Sequence, residues 1–247
     1  MRVFVLVAVF LLTINILHAQ DSIHSQKSLS IHQGLTYLVT KDLYRSPYVY
    51  HGFNPSIAMS FGINRKKSIQ QIHCEYTFGS IRTSFSPLAP IHLFRMNYFY
   101  LRKVVNNDRY SFYAGFQLNG QSWTVNYFPE MQAPKYGQVR SYLWAFSLDA
   151  AAHFEYKINS RSRLKLAVSA PVCALVNRPH FLDGSSDNSQ FGLFNYWNPR
   201  IHLAYEYDVS NRISLFINYN YEYLQYAQPK TIRMLNNNLF IGIKLKF

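Results

Sequence analysis

The twelve residues from Asn236 to Phe247 read NNNLFIGIKLKF. From Leu239 onward the odd positions Leu239, Ile241, Ile243, Leu245 and Phe247 are apolar, whereas Phe240, Gly242, Lys244 and Lys246 fall on the other side. Successive side chains of a β-strand point to opposite faces, so this period of two predicts a strand with one apolar face and one face carrying two lysines. What the apolar face meets, a protein core or lipid, decides how the rest of the chain is read.

Nine further segments alternate in the same way, at about 28–39, 55–64, 69–81, 92–104, 110–121, 140–157, 162–173, 199–209 and 212–225; with 237–247 they make ten strands. No amphipathic helix of globular length competes with them. In the sixth segment Tyr142, Trp144, Phe146, Leu148, Phe154 and Tyr156 oppose Ser147, Asp149, His153, Glu155 and Lys157. In the eighth, Ile201, Leu203, Tyr205 and Tyr207 oppose Arg200, His202, Glu206 and Asp208, and in the ninth Ile213, Leu215, Ile217 and Tyr219 oppose Ser214, Asn218, Asn220 and Glu222. A soluble barrel would hold the apolar set inside, and alternation alone does not separate the two cases. The aromatic residues do. Tyr and Trp gather at strand ends on the apolar face, where headgroup depth suits a ring with a wet polar tip and a body in hydrocarbon. About ten residues at roughly 3.3 Å each, tilted by about 40°, rise close to the ~25 Å of an apolar band.

The joints between strands alternate in length. Asn64 to Lys67, Asn106 to Arg109, Ile158 to Arg161 and Ser210 to Arg212 are short and polar, whereas 40–54, 82–91, 122–139, 174–198 and 226–236 are long. Tight turns at one end and long loops at the other predict a transmembrane antiparallel up-and-down β-barrel, all-β, with its turns in the periplasm and its loops outside. An even strand count brings both termini to the periplasmic side. At the start of the chain Arg2, the apolar run from Val3 to Leu12 and the small residue Ala19 have the form of a secretory signal peptide over 1–19, leaving 20–247 as one barrel domain.

Composition agrees with export into a membrane. Aromatic residues make up 17% of the chain and charged residues only 15%, so rings outnumber charges. The 25 basic residues against 12 acidic give a net charge of +13. Such a balance often accompanies nucleic-acid binding, but export and the scatter of the basic residues over many turns and strands exclude that class here. Cys74 and Cys173 fall in strands on opposite sides of the ring, beyond the roughly 7 Å Cα separation a disulfide tolerates, and are read as free thiols. No Cys/His cluster suggests a metal, and no cofactor is expected.

The leader, the hairpin rhythm and the closing aromatic strand resemble the small outer-membrane β-barrel proteins of Gram-negative bacteria. The resemblance implies that Leu239, Ile241, Ile243, Leu245 and Phe247 form the signal read by the barrel assembly machinery, and that outer-membrane lipids surround the chain. Ten strands also resemble the omptin proteases in number, but the paired Asp and Asp/His site of that family has no matching DxD or DxH here. Membrane lipases and deacylases of this architecture carry a His followed two residues on by a Ser, facing lipid, and the HxS-like spacing tried here, His24 to Gln26, fails. No catalytic residue is therefore assigned, and the chain is not expected to be an enzyme.

Two candidate regions remain. The inward face is expected to carry a polar network that includes Glu75, Arg95, Asp149, Arg200, His202, Glu206, Glu222 and Lys244, either as a salt-bridged plug or as the wall of a narrow pore favouring anions. A three-residue turn that sets Val209 against Ile213 would place Arg200 opposite Glu222 and His202 opposite Asn220. The long loops are rich in rings, among them Tyr48, Trp123, Tyr127, Phe194 and Trp197, which are expected to fold over the mouth, dock on a partner, or stack on a ligand such as a glycan. Basic residues crowd the turn end, which suits anionic headgroups or an acidic envelope protein partner. The leading expectation is a structural or complex-associated envelope component, with a narrow solute pore and a loop-based surface enzyme or ligand-binding protein as alternatives.

Overall fold

The computed structural model describes residues 25–43, 48–84, 86–127, 139–178, 190–192, 195–227 and 231–247. Twelve strands occur among them: β1 (Gln26–Asp42), β2 (Val49–Asn64), β3 (Ser68–Thr83), β4 (Ser86–Asn106), β5 (Tyr110–Tyr127), β6 (Val139–Lys157), β7 (Ser162–Asn177), β8 (Gln190–Gly192), β9 (Tyr196–Trp197), β10 (Arg200–Asp208), β11 (Ile213–Tyr226) and β12 (Ile232–Lys246). Strands β1 to β7 pair in order, β12 pairs with both β1 and β11, and β10 joins β11 to β7, so ten antiparallel strands close into a barrel. The short β8 and β9 extend the wall between β7 and β11 beyond the start of β10, one against Ala174–Val176 and the other against Gln225 and Tyr226. The strand that opened the sequence reading is the seam: β12 runs against β1 from Ser28↔Lys246 to Asp42↔Ile232, and Lys27 and Phe247 exchange two backbone hydrogen bonds of 2.9 and 3.0 Å. Closure pairs each of the ten barrel strands on both sides, and among the described residues the short β8 and β9 have one partner each.

Four tight turns lie at one end, at 65–67, 107–109, 158–161 and 209–212. Short polar side chains hold two of them. Asn159 Oδ1 accepts from the backbone N–H groups of Arg161 and Ser162 at 2.8 and 2.7 Å, and Ser210 Oγ accepts from those of Arg212 and Ile213 at 3.2 and 3.1 Å. Such local bonds are why Asn and Ser favour turns. Around the barrel the outward positions form an apolar belt, with Ile31, Ile57, Ile201 and Ile241 all well exposed. Ring pairs flank it: Tyr110 with Phe154 and Tyr100 with Phe116 toward the turn end, and Tyr37 with Phe53 and Trp144 with Phe146 toward the loop end. An exposed apolar surface of this extent is a lipid-facing one. Cys74 and Cys173 are both free thiols, in register with outward residues of their neighbours.

The loop end departs from the expectation. Strands begin earlier or run further there: β2 starts at Val49, β4 at Ser86 and β12 at Ile232, while β5 continues to Tyr127. The expected loop at 82–91 shrinks to 84–85, and those at 40–54, 122–139 and 226–236 shrink to 43–48, 128–138 and 227–231. The reason is physical. Tyr50, Ile91, Trp123, Val125 and Met234 point inward into an apolar packing, while outward neighbours such as Ser122, Thr124 and Arg233 are polar, so the apolar and polar faces that mark the lower part of these strands are exchanged there.

The wall has a weak stretch between β2 and β3. Strands β2 and β3 are in register at His51↔Arg82 and again from Ser56↔Thr77, but the residues between, 52–55 and 78–81, form no ladder pairs. Pro55 has no N–H to offer, and Gly79 adopts φ +149°, a conformation L side chains rarely take. A Cβ at Gly79 would sit 2.3 Å from Oδ1 of Asn54, whose fully buried side chain occupies that gap.

Candidate functional site in the barrel lumen

The inward side chains lie in three strata. At the loop end the lumen is filled by an apolar packing that contains Leu38, Ile91, Trp123, Leu143, Leu224 and Ile232, all fully buried. Tyr48 packs against its upper side. Among the same upper turns Asp42 pairs with Arg178 and accepts from Ser141 Oγ at 2.8 Å. Arg178 faces inward because the β6–β7 register shifts near Pro171, where Asp149 lies opposite Pro171 but Leu148 opposite Cys173. One extra residue in a strand reverses which positions face in, which hid Arg178 from a simple alternation count.

Below the apolar packing lies a layer of three carboxylates and two guanidinium groups. Arg95 bridges Glu75, at 2.6 Å, and Glu222, and Arg200 Nε donates to Glu222 Oε1 at 3.2 Å while its Nη1 stands 3.7 Å from Asp149. Amides complete the layer, since Asn236 donates to Glu222 at 3.2 Å and Asn238 to Glu75 at 2.9 Å. The register is the one expected from the turn: Arg200 is opposite Glu222 and His202 opposite Asn220. These charges come from five different strands and are almost wholly buried. Removing two or more ions from water is costly unless each is paired and hydrogen-bonded; the amides supply some of the further bonds, while Arg200 Nη2 is left without one among the described residues.

The third layer sits at the turn end. Glu206 is approached by Lys165, by Lys244 at 3.2 Å, by Arg163 at 3.3 Å and by Lys246 at 3.8 Å, and Asp208 takes Arg163 and Lys246 at 2.5 Å each. Glu155 stands 3.7 Å from Arg163. Three carboxylates thus face four cations, the reverse of the imbalance one layer up.

Between the two charged layers is a cavity of about 190 Å³. His32, His73, His153 and His202 line it, and Ile69, Phe99, Leu101 and Ala151 form an apolar wall across from Lys165 and Lys244. Ser30 and Ser60 hold two of the rings, with Ser30 Oγ 3.0 Å from His32 Nε2 and Ser60 Oγ 2.8 Å from His73 Nδ1. Among the described residues no group of His, Cys, Asp or Glu has the arrangement of a metal site. The polar network expected from the sequence is therefore split: Glu75, Arg95, Asp149, Arg200 and Glu222 form the middle layer, Glu206 and Lys244 the lower one, and His202 lies between.

Of the aromatic residues assigned to loops, Tyr48 packs against the cluster that contains Trp123, whereas Trp197 lies on the outer side of the wall. Trp123 belongs to β5 and is fully buried inside the barrel, which corrects its assignment to a loop; an inward aromatic strand end had been taken for a ring-rich connection. Tyr127 is the last residue of β5. Trp197 lies on β9, half-exposed and opposite the outward residue Gln225. Phe194 and the leader at 1–19 lie outside the described residues. His32 and His73 were legible only as polar residues on inward faces, and nothing in their spacing announced that four histidines meet.

No protein-family model matches the chain, and no curated protein matches it. Its fold is similar to that of the outer membrane protease OmpT from Escherichia coli, at 11% identity over 92% of this chain and 98% of that one, with a TM-score of 0.52. The translocator domain of the autotransporter NalP from Neisseria meningitidis aligns at 10% identity over 100% of this chain and 97% of that one, with a TM-score of 0.49. Ail, the attachment invasion locus protein of Yersinia pestis, aligns at 11% identity over 90% and 100%, with a TM-score of 0.39. At such identities the likeness is one of fold. The likeness to the first of these shows a closed antiparallel β-barrel fold, and the outward apolar belt gives that barrel a surface suited to lipid. The proteolytic activity in the first name is that protein's own.

Proposed function

We propose that the barrel is a non-conducting structural or complex-associated component of the outer membrane, with its tight turns and both termini in the periplasm. The observation that carries this reading is the apolar packing around Trp123, which fills the lumen at the loop end where a pore would need water. The salt-bridged layer beneath it blocks the same path a second time. Ten-stranded barrels are narrow enough for side chains to fill, whereas aqueous channels belong to wider ones. Purified protein inserted into planar bilayers is expected to give no steady single-channel steps, and reproducible openings from it would overturn the proposal in favour of a solute pore.

A contact surface is supported by charge at the turn end. Lys27, Lys66, Lys67, Arg109, Lys157 and Arg212 are exposed there, with Asp108 the one exposed acid in the described turns at that end. Anionic headgroups of the inner leaflet are the first occupant such a rim would attract, and an acidic envelope protein the second. A photocrosslinker placed at Lys66 in native membranes separates them, because recovery of lipid alone removes the protein partner. The assembly signal on the outward face of β12 is proposed on the same basis. Deleting Phe247 is expected to lower the folded fraction in the membrane severalfold, and unchanged assembly would remove that role.

A further inference from the structure

The cavity between the two charged layers is built unlike the rest of the lumen. Elsewhere inward groups fill the space, as Trp123 does, or pair across it, as Arg95 does. Here about 190 Å³ is left open, more than ten times the roughly 10–15 Å³ that one water needs, yet below the roughly 300–1,000 Å³ typical of drug-sized ligand sites. Its occupant is therefore small.

The walls state its chemistry. On one side Lys165 and Lys244 both reach the same oxygen, Oε2 of Glu206, so two ammonium groups share one carboxylate oxygen. The surrounding cluster of Glu155, Glu206 and Asp208 with Arg163, Lys165, Lys244 and Lys246 carries one positive charge in excess. One more donor lines the same space, Nη2 of Arg200, and so does Nε2 of His153, a donor or an acceptor according to its tautomer; both are buried with no hydrogen-bond partner among the described residues. On the opposite side Ile69, Phe99, Leu101 and Ala151 present an apolar surface. An unpaired buried donor costs about 1–3 kcal/mol, which an anionic acceptor would recover. Access is from the turn end. The loop end is sealed, while Arg163, Lys244 and Asp208 keep 24, 18 and 21% of their side-chain surface exposed. Outside that mouth stands the basic rim, whose field would raise the local concentration of anions.

We infer that this cavity is a binding site for a small organic carboxylate with an apolar body, its charged group at Lys165 and Lys244 and its body against Phe99 and Leu101. The same chemistry is offered by a free acid and by the last residue of a polypeptide. The inference rests on the sealed loop end proposed above, but its failure would leave that proposal standing, since conductance and binding are read independently.

The test is fluorine NMR of 4-fluorobenzoate titrated into the full-length barrel in zwitterionic micelles, with empty micelles as the blank and 4-fluorobenzyl alcohol as the neutral counterpart. Saturable binding of the acid is expected, at least tenfold tighter than the alcohol. Lys244→Met should weaken it at least tenfold, and Ala167→Leu, which fills the cavity without touching a salt bridge, should do the same; β-sheet circular dichroism confirms that each variant is folded. Absence of saturable binding, equal binding of acid and alcohol, or undiminished binding by the folded variants overturns the inference. The acid–alcohol comparison decides it even where a variant does not fold. Displacement by N-acetyl-Ala-Phe but not by its amide would assign the site to a chain end, and displacement by hexanoate alone to a free acid; either result supports it.

Discussion

The two ends of the lumen solve the same packing problem with opposite chemistry. At the loop end Leu38, Trp123 and Leu143 fill the space as a soluble protein's core would, with one buried ion pair, Asp42–Arg178, among the upper turns. At the turn end Arg163, Lys165, Glu206, Asp208, Lys244 and Lys246 cross-link the strands through ion pairs that keep some contact with solvent. The difference shows that this barrel carries its core off-centre. Hydrophobic burial anchors one end, where the strands run on past their charged layers, and polar pairing suffices at the other, where four tight turns already hold the strands.

The comparison can be broken by mutation, beginning with the packing itself. Trp123→Ala should cost about 3–5 kcal/mol in urea unfolding from micelles, the range for emptying a well-packed aromatic site. A change below about 1 kcal/mol would mean that the apolar end does not act as a core. At the boundary between the halves, Arg95→Met should cost about 3–5 kcal/mol, because Glu75 and Glu222 lose their shared partner inside the barrel. Adding Glu75→Gln and Glu222→Gln to that variant should recover a large part of the loss, and no recovery would show that Arg95 acts by packing. On the outer face, Ile241→Arg should cost about 2–4 kcal/mol if it lies near the bilayer midplane. Equal stability in that variant would argue against lipid contact at β12. The smallest effect is expected at the turn end, where Arg163→Met should change unfolding by about 1 kcal/mol or less, since its side chain is partly exposed and Glu206 and Asp208 keep other cations. A larger loss there would erase the contrast between the two ends.

How much of this was legible in the sequence follows the same division. Where one face met lipid and the other met polar groups, period-two alternation located the strand, its faces and even the Arg200↔Glu222 register. Where the inward face turned apolar, as at Tyr50, Trp123 and Met234, the pattern of apolar-out and polar-in no longer held and strand ends passed for loops. The polar network could be listed residue by residue from inward parity, because parity is a local property. Its division into two layers around a cavity was not legible, because that depends on how far each strand is staggered along the barrel. Arg178 escaped for a third reason, the shift near Pro171 that reverses parity.

The interrupted stretch between β2 and β3 has a consequence for how the closed ring opens. A barrel has no free edge from which to fray, so solvent must enter first where a ladder is already missing. In hydrogen–deuterium exchange those amides of 52–54 and 78–81 that point across the gap between β2 and β3 should therefore label well before those of the β1–β12 seam, although both lie within the wall. Gly79→Ala, which forces a Cβ onto Asn54, should widen that difference. A barrel closed by β12 would then be one that unzips from the opposite side of β1, and the strand that completes it would be among the last to let go.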